Sequence, residues 1–231
     1  MTSQIDLKDT QMNAEFASSS APIKLYRHPL SGHCHRVEMM LSILDLPYEL
    51  VDLDLLQGAH KAPAFLDLNP FGQVPVLDDN GTIVSDSNAI LVYLVEAYGK
   101  ETGWLPRAPG VAAAVQRWLS LTVSHLATGP ARARWRTLTG ASDTPETETA
   151  RAISHAFLEQ MEGLISGQHY LAGEAPTIAD VSAYAYIAHA PEGGVSLAAY
   201  PKVRAWIDRV EALQGFVPMQ ASPLPELARG A

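Results

Sequence analysis

The sequence has almost no cysteine. Among 231 residues there is only Cys34, so an intrachain disulfide framework is excluded, and with it a zinc site built on several thiolates. Positive charge is also scarce: Lys and Arg total 16 against 25 Asp and Glu, for a net charge of −9. Proteins that grip phosphate backbones need the opposite balance, because displaced counterions drive that binding. Nucleic acid is therefore not an expected partner. Long apolar runs are missing, and none approaches the roughly 18 residues of a membrane-spanning helix. The opening MTSQIDLKDTQMNAEFASSSAP lacks the apolar stretch of about 7–15 residues that marks a secretory leader. Residues 1–21 read as a disordered extension, and a cytoplasmic protein without membrane contact is the default expectation. Core material is ample, since 47% of the residues are hydrophobic, enough for one large domain or two small ones.

From Ile23 to Tyr98 short β-like and helical patterns alternate. Ile23–Tyr26 alternates, and Val37, Met40, Leu41 and Leu44 then form the stripe of an amphipathic helix. Tyr48–Leu53 alternates again, and a short helix is expected over Lys61–Leu68. Val74–Leu77 and Thr82–Val84 flank a turn containing Asn80-Gly81, a hairpin signal. Asp86 or Ser87 then caps a helix over Ala89–Tyr98. A strand–helix–strand opening requires a parallel pair with a right-handed crossover, and the hairpin makes the sheet mixed. Gly99–Gly110 reads as a boundary, and beyond it every pattern is helical. Val111–Thr122, Ile153–Leu164 and Val203–Val210 carry apolar stripes, while Thr177-x-x-Asp180 has capping-box spacing. The expected organisation is a mixed α/β domain over 22–99, a linker over 100–110 and an all-helical domain over 111–231.

Three places carry chemistry. Pro29–Cys34 joins the first strand to the first helix, where free N–H groups and the helix dipole favour an anion. Ser31-x-x-Cys34 has the spacing of a redox Cys pair with its first member replaced. Ser31 is a helix cap or a donor to a ligand's thiolate, and the sequence leaves both open. Gln73-Val74-Pro75 places a proline at a strand start, where it sits poorly in a central ladder. A cis bond there would turn the preceding backbone toward an extended peptide; an ordinary trans proline is the alternative. Asp86 and Ser87 are caps, or they hold an α-amino and α-carboxylate pair.

In this order, HPLSGHCHRV, GAHKAPAFLDLNPFGQVPVLDDNGTIVSDSNAI and TIADVSAY resemble the cytosolic glutathione transferases, particularly serine-type members of phi and theta character. The resemblance spans roughly residues 23–215. It implies a thioredoxin-like domain with a four-stranded mixed sheet, followed by an all-helical domain. It implies glutathione as co-substrate, no metal, and conjugation to a small, mostly apolar electrophile. Glutathione-dependent peroxidase or thiol-redox chemistry, or a non-catalytic ligandin, are the alternatives. Ser31 then holds the glutathione sulfur, and Gln73, Val74 and a cis Pro75 pair with the cysteinyl backbone. Asp86 and Ser87 grip the γ-glutamyl end, and His60 and Lys61 approach the glycine carboxylate. A homodimer is implied, with Phe71 either an anchor in its interface or packed within its own domain.

Asp86 is shorter than the Glu usual at its place, and His33 and Cys34 depart from the phi pattern. Cys34 leaves a thiol about one helical turn from the expected sulfur site. Arg132, Arg134, Trp135 and Arg136 form a basic–aromatic cluster, expected as a solvated helix face with the indole packed inward; an anionic co-substrate is the other reading. His125, His155 and His169 lack metal-ligand spacing.

Overall fold

The computed structural model describes residues 21–222; the extension expected over 1–21 lies, Ala21 apart, outside them. Strand β1 (Ile23–Arg27) runs parallel to β2 (Tyr48–Asp52), with helix α1 (Gly32–Ile43) as the crossover. β3 (Val76–Asp79) lies antiparallel on the other side of β1 and pairs with β4 (Thr82–Ser85). The sheet order is β2-β1-β3-β4, a mixed four-stranded sheet.

The hairpin sits two residues later than the sequence pattern places its first strand. Asn80 and Gly81 alone form the turn, both at positive φ (50° and 95°), as a two-residue type I′ connection requires. Asp78 and Asp79 are thereby released into β3, and Gly81 N–H is taken by Asp78 Oδ1 at 2.8 Å. At the other end Val74 and Pro75 stay outside the ladder, since proline has no N–H to give it. The helix expected over 61–68 is a 3₁₀ turn at Ala59–Lys61 and one α-turn, α2 (Pro63–Leu66), opened by Pro63 at a position suited to its fixed φ. Helix α3 (Ser87–Tyr98) starts directly after Asp86.

The remaining chain is helical: α4 (Pro109–Leu121), a π-turn at Thr122–Leu126, α5 (Pro130–Leu138), α6 (Pro145–Leu164), α7 (Ile178–Ala188), a 3₁₀ turn at Ala190–Gly193 and α8 (Pro201–Glu211). Helix α7 is buried on every side. Its capping box centres on Asp180, which accepts from the Leu171 and Thr177 N–H groups and from Trp206 Nε1. Packing is continuous between the two halves, because α1 lies on α7. At Gly32 the approach is so close that a Cβ would stand 2.8 Å from the Tyr186 ring. The N-terminus of α1 is therefore fixed by the helical half.

Candidate active site

A cleft of about 930 Å³ lies where the halves meet. Ser31, His60, Lys61, Gln73, Val74, Pro75, Asp86 and Ser87 all line it, although they are spread over more than fifty residues of sequence. Each reaches the cleft for a local reason. Ser31 caps α1, and its Oγ accepts from Cys34 N–H at 3.3 Å. That bond uses a lone pair, so the hydroxyl proton stays available to donate. The Val74–Pro75 bond is cis, and the loop and turn hydrogen bonds of the described residues use neither backbone group of Val74. Asn69 Nδ2 holds the Gln73 carbonyl at 2.8 Å.

Asp86 caps α3 from a φ of 73°, and its Oδ1 takes the Asn88 and Ala89 N–H groups. Ser87 is buried with its Oγ 3.1 Å from Arg36 Nη1 and 3.2 Å from His33 Nδ1. Lys61 Nζ donates to the carbonyls of Phe71 (3.3 Å) and Gly72 (3.0 Å), which ties the ammonium to the turn below it. His60 Nδ1 is buried without a partner among the described residues.

Two groups in this network are absent from the sequence expectation. Arg36 is fully buried and bonds only Ser87 Oγ and Asn88 Oδ1 among the described residues. Burial lowers its pKa to about 10, so it keeps its charge at neutral pH. His33 stacks edge-on against Tyr186 with ring centres 5.0 Å apart. Burial, aided by the Arg36 charge, brings it to about 3, and the ring is neutral. Both extend the Val37–Met40 stripe by helical spacing, so polar residues on the line of a buried face were the available signal.

The opposite wall comes from the helical half and includes Ala127, Ala131, Arg132, Arg134, Trp135 and Tyr186. Here the expected orientation is reversed. Arg134 is the residue packed inward, at 3% exposure, while Trp135 is 48% exposed. Arg134 Nε donates to Glu192 Oε2 and Nη1 to the Leu30 carbonyl, each at 2.6 Å. Glu192 also receives His189 Nδ1 at 2.5 Å and the Ser222 hydroxyl. A Cβ on Gly193 would lie 2.6 Å from Arg134 N, so the 3₁₀ turn bearing Glu192 lies directly against α5. Arg136 pairs with Glu146 at 3.2 Å on the outer face.

Residues 21–96 match the model for the glutathione S-transferase N-terminal domain, and residues 117–214 match that for the C-terminal domain. The chain belongs to the glutathione S-transferase family. It is 35% identical over 216 residues to glutathione S-transferase 3 of Zea mays, covering 89% of this chain and 96% of that protein. It is 31% identical over 206 residues to glutathione S-transferase theta-1 of Bos taurus, covering 86% of each. A crystal structure of a glutathione S-transferase from Pseudomonas fluorescens superposes with a TM-score of 0.80 at 34% identity, covering 87% of this chain and all of that one.

As a member of this family the chain has one thiol of its own, and it is sequestered. Cys34 is 1% exposed, and its Sγ accepts from His28 N–H at 3.5 Å. Burial outweighs the hydrogen bonds and pushes the thiol up to about 11. Thiolate is the reactive form, so a disulfide reagent at pH 8 should leave the native protein unmodified and titrate one thiol once it is denatured. Rapid stoichiometric reaction of the folded transferase would contradict this. Phe71 is 79% exposed, which removes the reading that packs it within its own domain. Among the described residues no cluster of His, Cys, Asp and Glu is placed to hold a metal ion. No described helix is long and apolar enough to cross a membrane.

Proposed function

We propose that this transferase presents the thiolate of glutathione to a small, mostly apolar electrophile, with the Ser31 hydroxyl donating to the sulfur. The observation that carries the reading is the convergence of Ser31, Gln73–Pro75, Asp86–Ser87 and His60–Lys61 on one cleft. Together they offer a partner for each unit of a γ-glutamyl tripeptide. Asp86 takes the γ-glutamyl ammonium, and Ser87 with the α3 terminus takes its carboxylate. The backbone of Gln73 and Val74, ahead of Pro75, pairs with the cysteinyl unit. The glycine carboxylate lies toward His60 and the donor remaining on Lys61.

A hydrogen bond to a charged sulfur is worth about 1.5–3 kcal/mol. The α1 N-terminus, whose dipole favours an anion, adds about 0.3–1 kcal/mol. Together they lower the bound thiol from its free pKa of about 8.5 by on the order of one to three, which ionises it near neutrality. Ser31 acts as a donor; as a nucleophile it would need an adjacent base. Family resemblance supports cytoplasmic placement and a two-fold homodimer, with exposed Phe71 as an anchor between subunits.

The test is retention on immobilised glutathione followed by conjugation of a panel of electrophiles. Binding and turnover together are expected. Binding without turnover across the panel would instead make the protein a carrier.

A further inference from the structure

The second-substrate wall is chemically one-sided. Ala131 and Trp135 are four apart on α5, share one side of the helix and both line the cleft. The alanine side chain is small, and the indole beside it is half-exposed and lines the cleft. Among the described residues lining the cleft Asp86 is the only carboxylate. It stands on the opposite wall, with Oδ1 committed to capping α3.

The described lining also holds three cations, Lys61, Arg132 and Arg134, and two of them are occupied. Lys61 is bound to the Phe71 and Gly72 carbonyls. Arg134 is bound to Glu192 and Leu30, and its Nη2 is buried without a partner among the described residues. Arg132 is exposed and enters no salt bridge among the described residues. The nearby carboxylate of Glu146, which feels its charge, is bonded by Arg136. With a net charge of −9 over the whole chain, this local excess of cation does not follow from composition.

We infer that the electrophile is a planar aromatic compound carrying an anionic substituent, its ring on Trp135 and its acid group at Arg132. This rests on the transferase reading and deepens it. An indole face accepts any flat ring, and a planar guanidinium matches a carboxylate through two parallel donors. In the reaction the glutathione thiolate attacks the ring carbon bearing the leaving group. A C–S bond forms, the carbon–halogen bond breaks, and the halide departs with the bonding pair. The thiol proton has already passed to solvent, and nothing is oxidised or reduced.

The experiment compares chlorodinitrobenzene with its ring-carboxylated analogue chlorodinitrobenzoate. Each kcat/KM is divided by the uncatalysed rate with glutathione. The wild-type ratio is expected to favour the benzoate by about tenfold, the size of one charge-assisted contact. R132Q should abolish most of that preference, and R132K should restore part of it as a point charge. Rising salt should erode it as well, because Arg132 is exposed. Since the ratio is internal to each variant, loss of folded protein does not imitate the effect. Conjugation of the neutral compound with no preference for the benzoate, or a preference untouched by R132Q, overturns the inference and leaves the transferase reading standing. Failure to conjugate either compound while others of the panel turn over overturns the inference alone, whereas failure across the whole panel overturns the transferase reading itself.

Discussion

Ser31→Ala should reduce kcat for conjugation by about 10–100-fold, the rate equivalent of losing one hydrogen bond to a charged sulfur. Glutathione affinity should change little, because the contacts proposed for the tripeptide's two carboxylates and its ammonium lie elsewhere in the cleft. The serine also caps α1 through Cys34 N–H, and losing a cap costs about 0.5–2 kcal/mol of stability. Two readouts separate these effects. The folded fraction reports the cap. The thiolate absorbance of the glutathione complex, followed against pH, reports the sulfur. In the variant the apparent pKa of that complex should rise back toward the free thiol value of about 8.5. Cys34 contributes no competing signal near neutrality, since burial pushes it to about 11. Full turnover with an unshifted thiolate titration would remove Ser31 from its role.

Arg134→Gln should be the most destabilising single change near the cleft. It leaves Glu192 buried at 4% exposure without its cation, and breaking a buried pair costs about 3–5 kcal/mol. It also frees the Leu30 carbonyl, one residue before Ser31, so kcat should fall even where the variant is fully folded. The pH dependence gives an independent check. Burial alone would raise the Glu192 carboxyl, but the bonds from His189, Ser222 and Arg134 outweigh it and hold it at about 2. A carboxyl depressed on folding contributes stability that is complete above its ordinary value of 4.5. That contribution is lost as pH falls toward 2. Denaturant unfolding should therefore separate wild type from variant fully at pH 7 and progressively less between about pH 4.5 and pH 2. A gap under ~1 kcal/mol at pH 7, or one constant with pH, would reduce the pair to a surface-like interaction.

Much of this could be read from the chain because the signals are local. Asn80-Gly81 specified its turn, Thr177 and Asp180 their box, and the 3.6-residue stripes their helices. The residues proposed to hold glutathione line one cleft. Two things stayed hidden, each for a physical reason. The phase of α5 could not be read, because nine residues holding three arginines, a tryptophan and two alanines have no dominant apolar stripe. Its orientation is decided by Glu192, fifty-eight positions on, which draws Arg134 inward and leaves Trp135 in the cleft. The hydrogen bonds to Ser87 were equally illegible. His33 and Arg36 sit on α1 and Ser87 on α3, and only tertiary packing joins them.

The bond from Arg134 to Leu30 is chemically lopsided. Its donor is a side chain that one mutation can delete, whereas its acceptor is a main-chain oxygen that every amino acid carries. Residue 30 is thus free to vary in size and polarity along the cleft rim without unfastening the serine loop. Position 134 has no such latitude. Substitution at 30 should therefore be tolerated where substitution at 134 is not.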